Sequence, residues 1–254
     1  MTSTTTISPL ARYRKKFADT PGFLLEGAVA TWDFLLTCQR NMNLSGNIVE
    51  IGVFRGKSAL LAACHMQPGE RLILNDVSAI DEPVAKIRSL HGPEPIVAIS
   101  KSSALLSNPD LTSFFGTARW VHVDGDHTGF NATNDLEVAE RFLGDMGVIC
   151  VDDFFNLRYP QVTAATYAFL QKRFPLFRML LCGAGKAYIV RSADFTLYEA
   201  LIRKFLAGHF KGCGFEATIH KSTDTADMGC FSIGSRQQDR DYLGLDQDHD
   251  LIPY

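Results

Sequence analysis

The sequence predicts an α/β protein built on a doubly wound, mostly parallel sheet of seven strands whose last strand runs antiparallel. Three observations carry this. Short apolar runs alternate with helical stretches along most of the 254 residues, the order expected of a parallel sheet covered on both faces. The first of these runs, residues 47–58, passes from strand through a glycine-bearing turn directly into a helix. Near the end, the strands at 177–182 and 186–190 are joined only by Gly183-Ala-Gly185. That link is too short for a crossover helix, so the pair forms an antiparallel hairpin.

In chain order, residues 1–6 are Ser/Thr-rich and expected to be disordered. Residues 12–16 hold four basic side chains, read as a solvated helix end. An amphipathic helix is expected over 23–40, with Phe23, Ala30, Phe34, Leu35 and Leu36 near one face. Strands follow at 47–53, 71–76, 95–100, 118–124 and 148–151, with helices at 58–64, 130–142, 162–173 and 196–207. Gly144 to Gly147 reads as a turn, and short strands are conceivable at 215–220 and 229–233 before an acidic tail at 239–250. The chain divides into an N-terminal arm and helix (1–45), a central α/β domain (46–208) and an irregular appendage (209–254).

The totals narrow the class. A net charge of −3 gives no general attraction for nucleic acid. The six cysteines make no C-x-x-C pair, which points to reduced thiols and away from a disulfide frame or zinc site. No apolar run reaches membrane-spanning length and no signal-peptide core follows Met1, so a cytoplasmic location with no membrane partner is the expectation.

The turn in Asn47-Ile-Val-Glu-Ile-Gly-Val-Phe-Arg-Gly-Lys-Ser58 is the first place to look for a ligand, because open α/β sheets bind at the carboxyl ends of their strands. It lacks the three glycines of a dinucleotide turn and is one residue short of a P-loop. Glu50 would repel a polyphosphate but suits a cationic ligand with hydroxyls, such as S-adenosylmethionine. A tight turn with no ligand is the alternative. Asp76 ends the second strand about two dozen residues later, where such folds place an acid for ribose hydroxyls; a helix cap is its plainer reading. Ser102 and Ser103 follow the third strand and would meet an adenine edge or cap a helix.

The strongest chemical signal is a pair of strand ends, Asp124-Gly-Asp126-His127 and Asp152-Asp153. Neighbouring parallel strands would bring these acids to one edge, where four carboxylates repel unless a cation sits among them. Hard oxygen donors point to Mg²⁺, with Mn²⁺ as an alternative. Exposed turn acids are the plainer account of any one of them.

Three segments together, Val49-Glu-Ile-Gly-Val-Phe-Arg-Gly-Lys-Ser58, Val121-His-Val-Asp-Gly-Asp-His-Thr128 and Val148-Ile-Cys-Val-Asp-Asp-Phe154, resemble the metal-dependent class I O-methyltransferases, above all the macrocin and novobiocin-type sugar enzymes. The resemblance spans about residues 23–190 and implies a Rossmann-like methyltransferase fold. It implies cofactor contacts from Glu50, Gly52 and Asp76, joined by Phe54 and Ser58 of the turn, Ser102, Ser103 and Asp124. It implies Mg²⁺ held by Asp124, Asp152 and Asp153. Asp126 matches the proposed base of the sugar enzymes. His127 stands where catechol-type enzymes carry a lysine, a departure that leaves Asp126 and His127 both as base candidates. The implied activity is methylation of a hydroxyl on a sugar or other small metabolite; the oligomeric state stays open, with a homo-oligomer joined through the basic arm and acidic tail as one alternative. Residues 154, 155, 158 and 159 would wall the acceptor. The rival readings are a P-loop-like nucleotide hydrolase and a non-methylating relative of hydroxylation pathways.

Overall fold

The computed structural model describes residues 7–103, 109–222 and 229–234; the expectations for the N-terminal residues 1–6 and the acidic tail at 239–250 lie outside them. The chain opens with α1 (Pro9–Phe17), whose first turn is capped by Ser8 Oγ accepting from the Ala11 amide at 3.2 Å. Next come α2 (Glu26–Asn41), β1 (Asn47–Ile51), α3 (Lys57–Cys64), β2 (Leu72–Asp76), α4 (Asp81–His91) and β3 (Ile96–Ser100). A 3₁₀ turn (Pro109–Phe114) leads to β4 (Ala118–Val123), α5 (Gly129–Phe142), β5 (Leu143–Val151), α6 (Pro160–Lys172), β6 (Phe177–Gly183) and β7 (Lys186–Arg191). Finally α7 (Ser192–Leu201) runs through a π-helical turn (Ile202–Leu206) into α8 (Ala207–Cys213), followed by β8 (Thr218–Lys221) and β9 (Phe231–Gly234).

The sheet order is β3-β2-β1-β4-β5-β7-β6-β9-β8. Strands β3, β2, β1, β4 and β5 are parallel, and β7 runs antiparallel to both β5 and β6. This is the doubly wound sheet with a reversed strand that the sequence predicts. The strand count differs: among the described residues the sheet has nine strands, not seven, because β9 adds in parallel to β6 and β8 pairs with β9. The two short strands of the C-terminal segment therefore extend the main sheet. Four-residue strands are weak in isolation, and the open edge of β6 supplies the hydrogen bonds that fix them.

Side chains alternate between two cores. Ile48, Trp120, Val148, Cys150 and Tyr188 face α1, α2, α3 and the α7–α8 helix, while Val49, Ile51, Val121, Ile149 and Ile189 face α5 and α6. Each fully buried large aliphatic side chain contributes about 1.5–3 kcal/mol, so the pleat of β1 and β4 commits the whole sheet to this layering.

Three local expectations needed correction. Helix α2 starts at Glu26, and Phe23, expected on its apolar face, is 94% exposed ahead of it. β5 begins at Leu143, so the expected glycine turn at 144–147 is strand. Helix α4 was not foreseen, although Asp81 and Glu82 in its first turn, Arg88 and His91 in its last and Gly92 beyond it are ordinary helix signals.

Candidate active site

The turn after β1 is built around close backbone approach. Gly52 has φ +84° and its amide donates to Asn75 O at 2.8 Å. A Cβ there would sit 1.7 Å from the carbonyl oxygen of Asp124. Gly52 is thus required by the protein's own backbone, where β1 and β4 end side by side. Gly56 opens α3 at φ +77°, packed on Pro83.

Asp76 pins this turn. Its Oδ2 accepts from the amides of Val53 at 2.8 Å and Phe54 at 2.9 Å, and Oδ1 accepts from Ser78. Successive amides of such a turn form an anion cradle. In this chain a carboxylate already fills it, which leaves a polyphosphate no place on those two donors. Phe54 itself is strained at φ +48° and 63% exposed on the rim.

Glu50 and Ser58 do not reach the mouth of the site. Glu50 is fully buried in β1; its Oε1 accepts from Ser58 Oγ and lies 3.1 Å from His122 Nδ1, while Oε2 has no hydrogen-bond partner. Ser103 Oγ donates to Asp135 Oδ1 on α5, which ties it down on the protein, and Ser102 is exposed beside it. Asp135 was not foreseen: it is buried, and its Oδ2 lacks a partner beside Gly125. Burial raises its carboxyl above the usual range, against the hydrogen bond from Ser103.

The acid cluster splits in two. Asp152 turns inward: Lys186 Nζ on β7 makes an ion pair with its Oδ2, and His122 Nε2 lies 3.7 Å from the same oxygen. His122 also faces Glu50, so Glu50, His122, Asp152 and Lys186 form one buried charged chain across β1, β4, β5 and β7. Trp32 closes it, with its ring 4.7 Å from His122 and 5.9 Å from Lys186 Nζ. Burial opposes the charge on Asp152, but Lys186 and His122 outweigh it and hold the carboxyl well below the usual range. Burial and Lys186 likewise oppose protonation of His122, yet the nearby Asp152 carboxylate and the hydrogen bond to Glu50 raise it to about 9.

Asp153 turns outward. Its backbone is left-handed, φ +54°, which swings the side chain away from Asp152; Asp153 Oδ2 lies 2.7 Å from His127 Nε2 and Oδ1 accepts from Asn156 at 2.5 Å. His127 stacks on Tyr159, ring centres 4.0 Å apart. Asp124 stands between the two halves. Its ligand atom lies within 4.8 Å of His122 and Asp152 on one side, and of His127 and Asp153 on the other. Burial first, then the Asp152 carboxylate, raise Asp124 well above the usual range.

Two expected members fall outside this cluster. Asp126 is an exposed turn residue whose Oδ1 accepts from the Thr128 amide at 2.8 Å, just ahead of the Thr128 cap of α5. Those hydrogen bonds to Thr128 hold its carboxyl below the usual range. Phe154, expected in the acceptor wall, is buried in the core, and Phe155 is exposed in its place. The groove at the opposite, amino edge of the sheet, by Gly46, Glu70 and Thr117, gathers no comparable acid–base set.

The fold is a doubly wound α/β sheet with a cluster of acids and histidines at its carboxyl edge. Residues 49–154 match the family profile of a methyltransferase domain. The matched stretch holds all three segments on which the resemblance to methyltransferases rests. Solved structures share the fold at low identity. The O-methyltransferase NovP is 15% identical, with 65% of this chain and 78% of NovP covered and a TM-score of 0.53. MycE, a methyltransferase of mycinamycin biosynthesis solved with Mg and S-adenosylhomocysteine, is 15% identical over 73% of this chain and 54% of its own, TM-score 0.52. CalS11, a TDP-rhamnose 3′-O-methyltransferase of calicheamicin biosynthesis, is 16% identical over 73% of this chain and 94% of its own, TM-score 0.50. No match was found among curated proteins. Among the described residues, no helix is long and apolar enough to cross a membrane.

Proposed function

We propose that the protein transfers a methyl group from S-adenosylmethionine to a hydroxyl oxygen of a sugar or another small metabolite. The observation that carries this reading is the His127–Asp153 pair, 2.7 Å apart and within 4.8 Å of Asp124, beside the glycine turn of a methyltransferase domain. The sugar acceptor of CalS11 supports the choice of a hydroxyl.

S-adenosylmethionine, when bound, supplies an electrophilic methyl group on a cationic sulfur. The chain's own residues suit a cation at this edge: the unpartnered Glu50 Oε2 below the turn, Asp76 beside it and Asp124 at the end of β4. Asp76 keeps lone pairs for ribose hydroxyls while it holds the turn. Gly52 and Phe54 form the wall on one side and Ser102 and Ser103 the wall on the other.

Removal of the acceptor proton falls to His127. With its Nε2–H donated to Asp153, the ring presents Nδ1 as the accepting nitrogen. Stacking on Tyr159 fixes the ring plane. Asp126, bound to Thr128, serves the turn.

The residues also fit a divalent ion, in a reduced form of the expected set. Mg²⁺ or Mn²⁺ is commonly held by one or two carboxylates and keeps several waters. Asp124 and Asp153 fit that role, and a cation there would relieve the repulsion that raises Asp124. When bound, the ion supplies positive charge that orients a hydroxyl and lowers its pKa. Asp152 is held instead by Lys186. The MycE structure, solved with Mg, supports a divalent ion as such.

The test is calorimetric titration of the protein with S-adenosylhomocysteine and with ATP, each with Mg²⁺ and with EDTA. We expect binding of the first and none of ATP; ATP binding alone would overturn the reading in favour of a nucleotide hydrolase. Cofactor binding without transfer to any of a panel of sugars and phenols would instead favour a non-methylating relative.

A further inference from the structure

A second cluster of metal-ligating side chains lies away from the carboxyl edge, where α8 packs on α2. His209 and Cys213 are four residues apart on α8 and share one face of it. His209 Nε2 lies 3.1 Å from Asp33 Oδ2 on α2 and 3.3 Å from Cys213 Sγ. All three ligand atoms fall within 4.8 Å of one another. Around a tetrahedral Zn²⁺, with bonds of about 2.0–2.3 Å, ligand atoms stand roughly 3.3–3.7 Å apart. The cluster needs little adjustment to reach that spacing.

An independent observation points into the same place. His65, at the end of α3, is 2% exposed, and neither of its ring nitrogens has an aligned hydrogen bond. Its Nε2 nonetheless lies 3.1 Å from Asp33 Oδ1. A buried imidazole without an aligned partner is costly. It is also the residue that would orient a ligating carboxylate from behind.

We infer that Asp33, His209 and Cys213 form a binding site for a borderline-soft divalent metal ion, Zn²⁺ by its donor set of one thiolate, one imidazole and one carboxylate. Solvent is the fourth ligand, reached past the side chain of His209, which is 21% exposed. His65 is a positioning residue that holds Asp33. The ion would clamp α8, and with it the start of the segment leading to β8, onto α2. This site is independent of the proposed methyl transfer.

The test is Co²⁺ titration of the full-length protein after EDTA treatment and dialysis. One equivalent should give a thiolate-to-cobalt charge-transfer band in the near ultraviolet, abolished by added Zn²⁺. Cys213→Ser and His209→Gln should each remove the band, and Asp153→Asn should retain it. His65→Gln should weaken binding roughly 10–100-fold. Zn²⁺, but not Mg²⁺, should raise the thermal midpoint of the wild type and leave that of Cys213→Ser unchanged. A wild type with neither band nor thermal shift overturns the site, as does a band of full intensity in Cys213→Ser.

Discussion

Asp152 and Asp153 are neighbours in sequence, at one strand end, with the same side chain, yet they belong to different regions of the molecule. Asp152 faces into the sheet and pairs with the almost fully buried Lys186 and His122, although its own side chain is 18% exposed against 22% for Asp153. Asp153, turned by its left-handed backbone, faces the rim, where it meets His127 and Asn156. The difference teaches that a run of acids at a strand end is not one site. The pleat of β5 and the backbone just beyond it send adjacent carboxylates in different directions, one to Lys186 within the sheet and one to His127 at the rim.

Replacement of Lys186 should break the comparison most severely. Lys186→Met leaves Asp152, whose side chain is 18% exposed, without its buried cation, and removing one partner of a buried pair typically costs about 3–5 kcal/mol. Urea unfolding followed by circular dichroism should show that loss. A cost below about 1 kcal/mol would mean that the inward half is as solvated as the outward one.

The outward half should respond in the opposite way. His127→Gln should lower methyl transfer by about 10²–10⁴-fold while changing stability by no more than about 0.5 kcal/mol. Single-turnover transfer and urea unfolding of the same preparation check the two together. Equal turnover in wild type and variant would remove His127 as the base.

A pH series separates the regions more gently. His122 is raised to about 9 in the folded protein, above the ordinary histidine value of about 6.5. Its charged form is the one the fold favours. The stability it contributes is complete below that ordinary value and is lost as pH rises through about 9. Thermal midpoints recorded in EDTA from about pH 6 to about pH 10 should fall over that window. In His122→Gln the same window should be flatter, and an unchanged slope would shift the alkaline loss to another group.

Asp126→Ala should have the smallest effect. Loss of an exposed turn hydrogen bond costs less than about 1 kcal/mol, and turnover should stay close to wild type. A hundredfold loss of turnover would restore Asp126 as the base and reduce His127 to an orienting role.

Much of this was legible in the residues alone. The strand–turn–helix at Gly52, the hairpin across Gly183-Ala-Gly185 and the two acidic strand ends are local patterns, set by backbone sterics and side-chain periodicity, and each lies where the sequence puts it. Asp124 and His127 also sit at the expected edge. The partners across the sheet were not legible. A lysine opening a strand, as in Lys186, or a histidine alternating with valines, as in His122, gives no sign of burial until the order β1-β4-β5-β7 brings both beside Glu50 and Asp152. The same holds for Asp33, His65, His209 and Cys213, which come from three helices. Their juxtaposition depends on α8 docking on α2 and not on any spacing in the chain. The class of fold and the edge where the acidic strand ends gather follow from short-range pattern, and the residues alone carry both. Which acids pair inside the sheet and which face the rim is settled only in three dimensions, because charge pairing is set by distances between strands that the sequence holds far apart.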